Sequence, residues 1–428
     1  MTIALTKIAE TSSTITLGWE PPDGVGAYAF YAAGQIVSVA TANMKDGSPR
    51  NTVKFSKTSP GPPFEVAALC RSAAGVYTVE ADAYPDASPP PAGQPIPADG
   101  VIRAGGTYSG SFSKQVSIAT SAPVTLSRCD LTYKDGTIIR TSGSVPPDLT
   151  IDHCTIDGDT WRLLDVDAFK RIVMTNCTIE KTAGITLVGN GEVRLLRNRH
   201  HNIQRVPGGV GNFVQFRLCQ TGTFEVGWNE VVNEYNKSNP EDLISIYHSS
   251  NIHVFDNMFW GQFHPGNGPG SSQNGITVDG YGGSGQPCNN NLIERNQVVR
   301  ALSIAVFPTA TGPCNNNMFK DNRCVHAGYL DDGVTRFYYG QHGMHVLSGG
   351  TNNHAHGNVL GFMRGSSQGS YARGTDGAFE GTPEGNSGEW ANNTHLEPYP
   401  GNITRAHEDA EWDRWVAKKA AAGVTVGA

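Results

Sequence analysis

Short runs of alternating apolar and polar residues fill most of this chain, and many of them share one frame. In FEVGWNEVV, Phe224 and Val226 stand one residue apart, Asn229 follows three positions later, and Val231 two after that. The parity of the inward-facing positions therefore changes around the asparagine, which predicts a bend between two short strands. The frame recurs as IHVFDNMF around Asn257 and as VRLLRNRH around Asn198. With cysteine in the asparagine slot it appears as IVMTNCTI around Cys177 and LTIDHCTI around Cys154. Aligned on that slot are Cys129, Cys154, Cys177, Asn198, Asn229, Asn257, Asn296, Asn322 and Asn358, with WANNTH around Asn393 as the last member. The intervals between the first nine are 25, 23, 21, 31, 28, 39, 26 and 36 residues, too irregular for helical or propeller repeats. They suit stacked coils of several short strands joined by loops of variable length.

Each coil also has an upstream strand of its own, read at LLDVDAF, GITLVG, FVQFRL, LISIYH, GITVDG, SIAVF and GMHVLS. Asparagine fits the slot because its backbone tolerates left-handed angles and its amide can bond to the equivalent amide one coil away. At about 4.8 Å per stacked strand, nine coils give a column of roughly 40 Å. Outside the column, residues 1–85 read as a small antiparallel β unit with strands at STITLGW, GAYAFYAAGQIVSVA, NTVKFSK and FEVAALC. Residues 86–100 are Pro-rich and read as an extended linker, 101–400 as the column, and 401–428 as a helical tail. In that tail Glu408, Asp409 and Glu411 lie early, Lys418 and Lys419 late, and Gly423 follows as a stop. Trp412, Trp415, Val416 and Ala420 are read as one face, which covers the open end of the column or docks on a neighbouring subunit.

Composition narrows the function. The chain has 428 residues, 51 of them glycine and only 17% charged, which favours stacked strands and tight turns over surface helices. A net charge of -7 gives no basic footprint for nucleic acid or an anionic membrane. The segment MTIALTKIAETSS lacks a long apolar core, and no stretch reaches the roughly 18 apolar residues of a membrane span. The expectation is a product made in a cytoplasm, with no cofactor. The eight cysteines show no zinc spacing. Stacked buried thiols are expected at Cys129, Cys154 and Cys177, and a reduced pair at Cys288 and Cys314, each of which opens an identical PCNNN.

Candidate chemistry sits in the long intervals, at 202–212, 262–274 and 325–341, because loops on a rigid scaffold are where binding concentrates. A glycosidase needs two carboxylates roughly 5 to 10 Å apart across the scissile bond. Glu241, Asp242 and Asp279 are the candidates, with Asp165 and Asp167 behind them and His248 and His264 as acid or base groups. Outward-pointing Asp on a solvated sheet is an ordinary alternative, so an enzyme is the secondary reading. Trp228, Trp260, Phe263, His264, Tyr281, Tyr338 and Tyr339 fall at turns or loops, where rings stack on sugars or pack against another chain. His342, His345, His354 and His356 are the weak candidates for a metal, since no Cys or carboxylate stands at firm spacing beside them.

Three resemblances follow from these residues. Trp19 before Pro21 and Pro22, Tyr28 and Tyr31 in the next strand and the later FEVAAL strand make the first unit similar to a fibronectin type III β-sandwich. Over about residues 100–395 the coils resemble the pectate-lyase-like superfamily, which implies a right-handed parallel β-helix of about nine or ten coils. The catalytic signatures of that superfamily do not carry over. EDLISIY resembles the start of a pectate lyase strand without its companion Asp cluster. Of the polygalacturonase signatures only Asp331–Asp332 appears, with QHGMH in place of GHG. The whole order, a fibronectin-like unit, a linker, a β-helix and a Trp-rich helical tail, looks like minor tail proteins of bacteriophages infecting actinobacteria. That resemblance implies a virion protein of the tail tip or fibre, trimeric, in contact with other tail proteins and with host envelope glycan.

Overall fold

The computed structural model describes the strand backbones within residues 1–92 and residues 93–427 other than 142–143, 208, 236, 262–273, 281–284, 302–303, 308–311, 328–343, 347–349, 363–378, 381–389 and 398–402. The chain divides into two compact units, Met1–Ala92 and Gly93–Ala428. Among the described residues of the first, Leu5–Glu10, Thr14–Trp19 and Asn51–Ser56 form a three-stranded antiparallel sheet. Gln35–Thr41, Val25–Ala32, Phe64–Arg71 and Tyr77–Tyr84, in that spatial order, form a four-stranded one.

The second unit is a column of three parallel sheets that the chain visits in turn. One coil runs through Leu164–Val166 in the first sheet, Arg171–Thr175 in the second and Thr178–Glu180 in the third. The next coil repeats this with Ile185–Val188, Gly191–Leu196 and Arg199–His201, each strand pairing in parallel with its equivalent. This is a parallel β-helix. Among the described residues, eleven strands, from Val101–Ile102 to Phe379–Glu380, stack in the first sheet, a height of about 50 Å at the usual strand spacing. The column's first strand, Gln94–Pro95, already pairs with Tyr108 and Ser109, so the column begins inside the stretch read as linker.

Alternation decides what lies inside. Ile151, Met174, Leu195, Val226, Val254, Ile293 and Phe319 stack in register down the second sheet and are buried. Each such side chain removed from water contributes about 1.5–3 kcal/mol. Between the second and third sheets runs the asparagine ladder. Asn198 Nδ2 donates to Asn229 Oδ1 at 3.0 Å, Asn229 Nδ2 to Asn257 Oδ1 at 2.9 Å, and Asn257 Nδ2 to Asn296 Oδ1 at 2.9 Å. The ladder continues through Asn322 and Asn358 to Asn393, its last rung among the described residues. The three cysteines are rungs too: Cys154 Sγ accepts the Cys129 N–H at 3.3 Å and Cys177 Sγ the Cys154 N–H at 3.5 Å. Cys288 and Cys314 are buried, and the cysteines among the described residues are all free.

One detail differs from the sequence reading. The left-handed backbone falls on the residue before each rung, at Arg128, His153, Asn176, Arg197, Trp228 and Asp256, with φ between 50° and 59°. Asparagine is therefore chosen in the slot for its amide and not for its backbone. The preceding residue absorbs the bend and points its side chain outward, which is why that position accepts Arg, His, Trp and Asp alike.

The C-terminal helix, Arg405–Ala422, also differs from expectation. It lies along the flank of the third sheet instead of covering the column's end, and it runs against the order of the coils. Glu408 accepts the Ala327 N–H at 2.7 Å, and Glu411 takes Arg323 through two bonds of 2.7 Å. Trp415 Nε1 donates to Glu230 at 2.7 Å, and beyond the helix the Gly427 N–H reaches Arg197 O at 2.9 Å. Trp412 and Trp415 do face the column, but Val416 is 49% exposed and Ala420 is exposed. The docked face combines the two tryptophan rings, packed with Met258, Val299, Trp228 and Trp260, with buried carboxylates, so an apolar stripe accounts for only part of the docking.

Candidate functional site

Strand parity sends every second residue of the first sheet outward, and in five successive coils those residues are polar apart from Val188. Asp165, Thr186, Gln215, Ser245 and Thr277 stand in register along one line. Val188, Arg217, Tyr247 and Asp279 form a second line beside it. The inward neighbours, such as Ile185, Val214, Ile244 and Ile276, are core. This outer face gathers the charged candidates. Arg162 donates to the Thr186 hydroxyl and lies 3.7 Å from Asp165, while Arg205 Nη2 lies 3.8 Å from Glu241. Thr277 is only 2% exposed, and its hydroxyl lies near Asp242 but short of hydrogen-bond geometry.

Glu241, Asp242 and Asp279 are close enough for their charges to act on one another. Burial is the largest influence on Glu241 and raises its pKa, against the pull of Arg205; Asp279 raises it further. Asp165 is likewise raised, first by burial. Asp242 is pushed up to about 7 by burial and then by Glu241.

The two acidic neighbours nevertheless do different things. Asp242 is 5% exposed and occupies a rung at the corner between the third and first sheets, in register with Asn212 and Asn274. Its Oδ1 accepts the Asn274 N–H at 3.0 Å and its backbone carbonyl accepts Asn212 Nδ2 at 2.9 Å. The Asn212 Oδ1, also buried, has no hydrogen-bond partner. Asp242 is thus a carboxyl in a slot where adjacent coils place amides, turned into the wall. Glu241, with its side chain 26% exposed, is the carboxylate presented outward.

The remaining candidates separate. His248 is fully buried at the corner between the first and second sheets, with Nδ1 at 2.8 Å from Gln286 O, so it serves the corner and not the outer face. Trp228 stacks on Trp415 at 6.0 Å and Trp260 meets Trp412 edge-on at 5.7 Å, so both rings are taken up by the C-terminal helix. His354 and His356 stack at 5.9 Å on the second sheet, whereas His345 belongs to the strand Met344–Val346 of the first, a different sheet from theirs. Among the described residues, no three His, Cys, Asp or Glu are arranged to hold a metal. Phe263, His264, Tyr281, Tyr338, Tyr339 and His342 lie outside the described residues. Arg162, Arg205, Gln215 and Thr277 were not singled out in the sequence. Parity within LISIYH and GITVDG would have flagged Thr277, but the two arginines lie outside the strands, where no period applies.

No protein-family model matches the sequence, and no curated protein matches it. Among solved structures, a pectate lyase from Pectobacterium carotovorum matches at 12% identity, over 92% of this chain and 100% of that one, with a TM-score of 0.17. At that TM-score the likeness decides nothing here. The fold rests on the strand pairing and the function on the site.

Proposed function

We propose that this chain is a bacteriophage tail-tip or tail-fibre protein whose right-handed β-helix binds glycan of the host envelope through the outer face of its first sheet. The observation that carries the binding reading is the group of exposed and part-exposed polar side chains on this face, Asp165, Gln215 and Asp279 with Glu241, Arg162 and Arg205 around them, while Thr186, Ser245 and Thr277 of the same line are buried beneath. A rigid sheet that presents amide, carboxylate and guanidinium groups suits a polymer rich in hydroxyls. Binding without turnover is preferred, because the buried Asp242 is not placed to reach a glycosidic oxygen.

The tail assignment rests on the order of parts described under Sequence analysis. The strand order of the first unit, first–second–fifth against fourth–third–sixth–seventh, supports a fibronectin type III-like sandwich there. In this reading the first unit attaches to other tail proteins, the chain assembles as a trimer in the virion, and synthesis takes place in the host cytoplasm. The test is saturable binding of the full chain to purified host envelope glycan, followed by analysis of the glycan for new reducing ends or unsaturated products. Binding without product is the expected outcome. Product release abolished by Asp242→Ala would replace this reading with a depolymerase. Antibody labelling of virions away from the tail tip would remove the tail assignment.

A further inference from the structure

The column uses only part of its PCNNN motif. Each copy supplies three asparagines, and the third of them, Asn291 and Asn317, is a buried rung. The first, Asn289 and Asn315, is half-buried, with the Asn289 Oδ1 accepting the Asn315 N–H at 2.8 Å. The middle one, Asn290 and Asn316, is exposed. With Asn251 one coil before and Asn352 one coil after, it makes a row of four exposed asparagines at the corner between the first and second sheets, all left-handed, with φ between 55° and 63°. Left-handed backbone alone does not select asparagine so uniformly, since the same conformation at another corner holds Arg128, His153, Trp228 and Asp256.

The row bonds along the column in two pairs and is open between them. Asn290 Nδ2 donates to Asn251 Oδ1 at 3.3 Å, and Asn352 Nδ2 donates to Asn316 Oδ1 at 2.8 Å. Among the described residues nothing donates to the Asn290 Oδ1, and the Asn316 Nδ2 donates to nothing. An acceptor and a donor thus stand open on adjacent coils, which are about 4.8 Å apart. A carboxylate could serve only the donor and an ammonium only the acceptor. A trans peptide group turns its N–H and C=O to opposite sides, so it does not suit the pair either. A hydroxyl serves both, giving its proton to Asn290 and receiving one from Asn316. Two residues further on, Leu292 and Met318 stand in register on the outer side of the second sheet, half-exposed, with only the buried rungs Asn291 and Asn317 between them and the row. They offer an apolar rest for the C–H face of a sugar ring.

We propose that this corner is a second binding site, separate from the first-sheet face and independent of it, for an uncharged sugar whose hydroxyl bridges Asn290 and Asn316 and whose ring lies on Leu292 and Met318. The test is calorimetry on the full chain with linear hexasaccharides of glucose, galactose and mannose, and with hexaglycine. At least one of the sugars should bind, with saturation transfer by NMR from protein to its ring protons, and hexaglycine should not. Asn290→Gly and Asn316→Gly keep the left-handed backbone and remove one bond each, so each should weaken binding about fivefold. Asn290→Asp restores the acceptor and should recover most of the affinity lost in Asn290→Gly, whereas Asn316→Asp lacks the donor and should bind as weakly as Asn316→Gly. Equal effects of aspartate at the two positions would overturn the bridging arrangement, and so would hexaglycine binding more tightly than any sugar. Sugar binding unchanged in both glycine variants overturns the site and leaves the first-sheet reading standing. Binding of none of the three sugars overturns it as well, while the first-sheet reading is decided separately with host envelope glycan.

Discussion

Asn257 is the rung at which the ladder can be tested most directly. Its Oδ1 accepts both the backbone N–H and the Nδ2 of Asn229 at 2.9 Å. Its Nδ2 donates to Val226 O, Phe255 O and Asn296 Oδ1, each at 2.9 Å. Alanine at this position would strand two donors of Asn229 in a place that water does not reach, since Asn229 is 0% exposed. An unsatisfied buried polar group costs about 1–3 kcal/mol, so Asn257→Ala should lose roughly 3–5 kcal/mol, counting the small void. The column already uses cysteine in this slot, where Sγ accepts the backbone N–H of the previous coil at 3.3 to 3.5 Å. Asn257→Cys should accordingly recover part of the loss, leaving about half of the alanine penalty. Native-state hydrogen exchange is the suitable assay, because it reports the opening free energy at the Asn229 amide without requiring the whole column to unfold as one. Protection at Asn229 should fall in the order native, Cys, Ala. An alanine variant that costs less than about 1 kcal/mol at that amide, or a cysteine variant as costly as alanine, would refute the ladder as a source of stability.

Three further outcomes follow from the same geometry. Glu411→Ala removes the two-bond partner of Arg323 and should weaken docking of the helix by about 3 kcal/mol, seen as faster proteolysis near residue 404 and a shift in tryptophan fluorescence. Asp242 binds its proton more tightly folded, at about 7, than unfolded, at 3.8, so its contribution is fully present below about pH 4 and is lost as pH rises towards 7. Asp242→Asn should match the native chain in denaturant midpoint at pH 4 and exceed it at pH 8, by up to about 4 kcal/mol; equal midpoints at both would refute the buried carboxyl. Light scattering of the purified chain should give three times the chain mass, and a monomer would count against the trimer.

The column was legible because its signal is periodic: Phe224, Val226 and Val231 carry the parity change, and Asn229 carries the hydrogen-bonding slot. The second row of rungs, Asn212, Asp242 and Asn274, was harder to see, since it mixes an acid with amides and one member closes a loop. PCNNN was noticed for its cysteines, yet Asn291 and Asn317 within it form rungs of their own, continued at Asn353. Docking of the tail is only partly legible, for a physical reason. Burial of Glu408 and Glu411 depends on Arg300 and Arg323, which lie about a hundred residues earlier, and no local pattern announces that a charge will find its partner. The site face was half legible: Glu241, Asp242 and Asp279 were named together, but only the register between coils separates the presented acid from the buried one.

The course of the last segment has a mechanical meaning. Helix and tail make contacts from Ala327 at one end to Arg197 at the other, so they splint the coils between them the way a batten holds stacked slats. Gly427 is thus held beside the Arg197 coil, well inside the column. A pull applied at Gly427 would load that coil first and act in shear along the splint, rather than peel the terminal coils off one at a time.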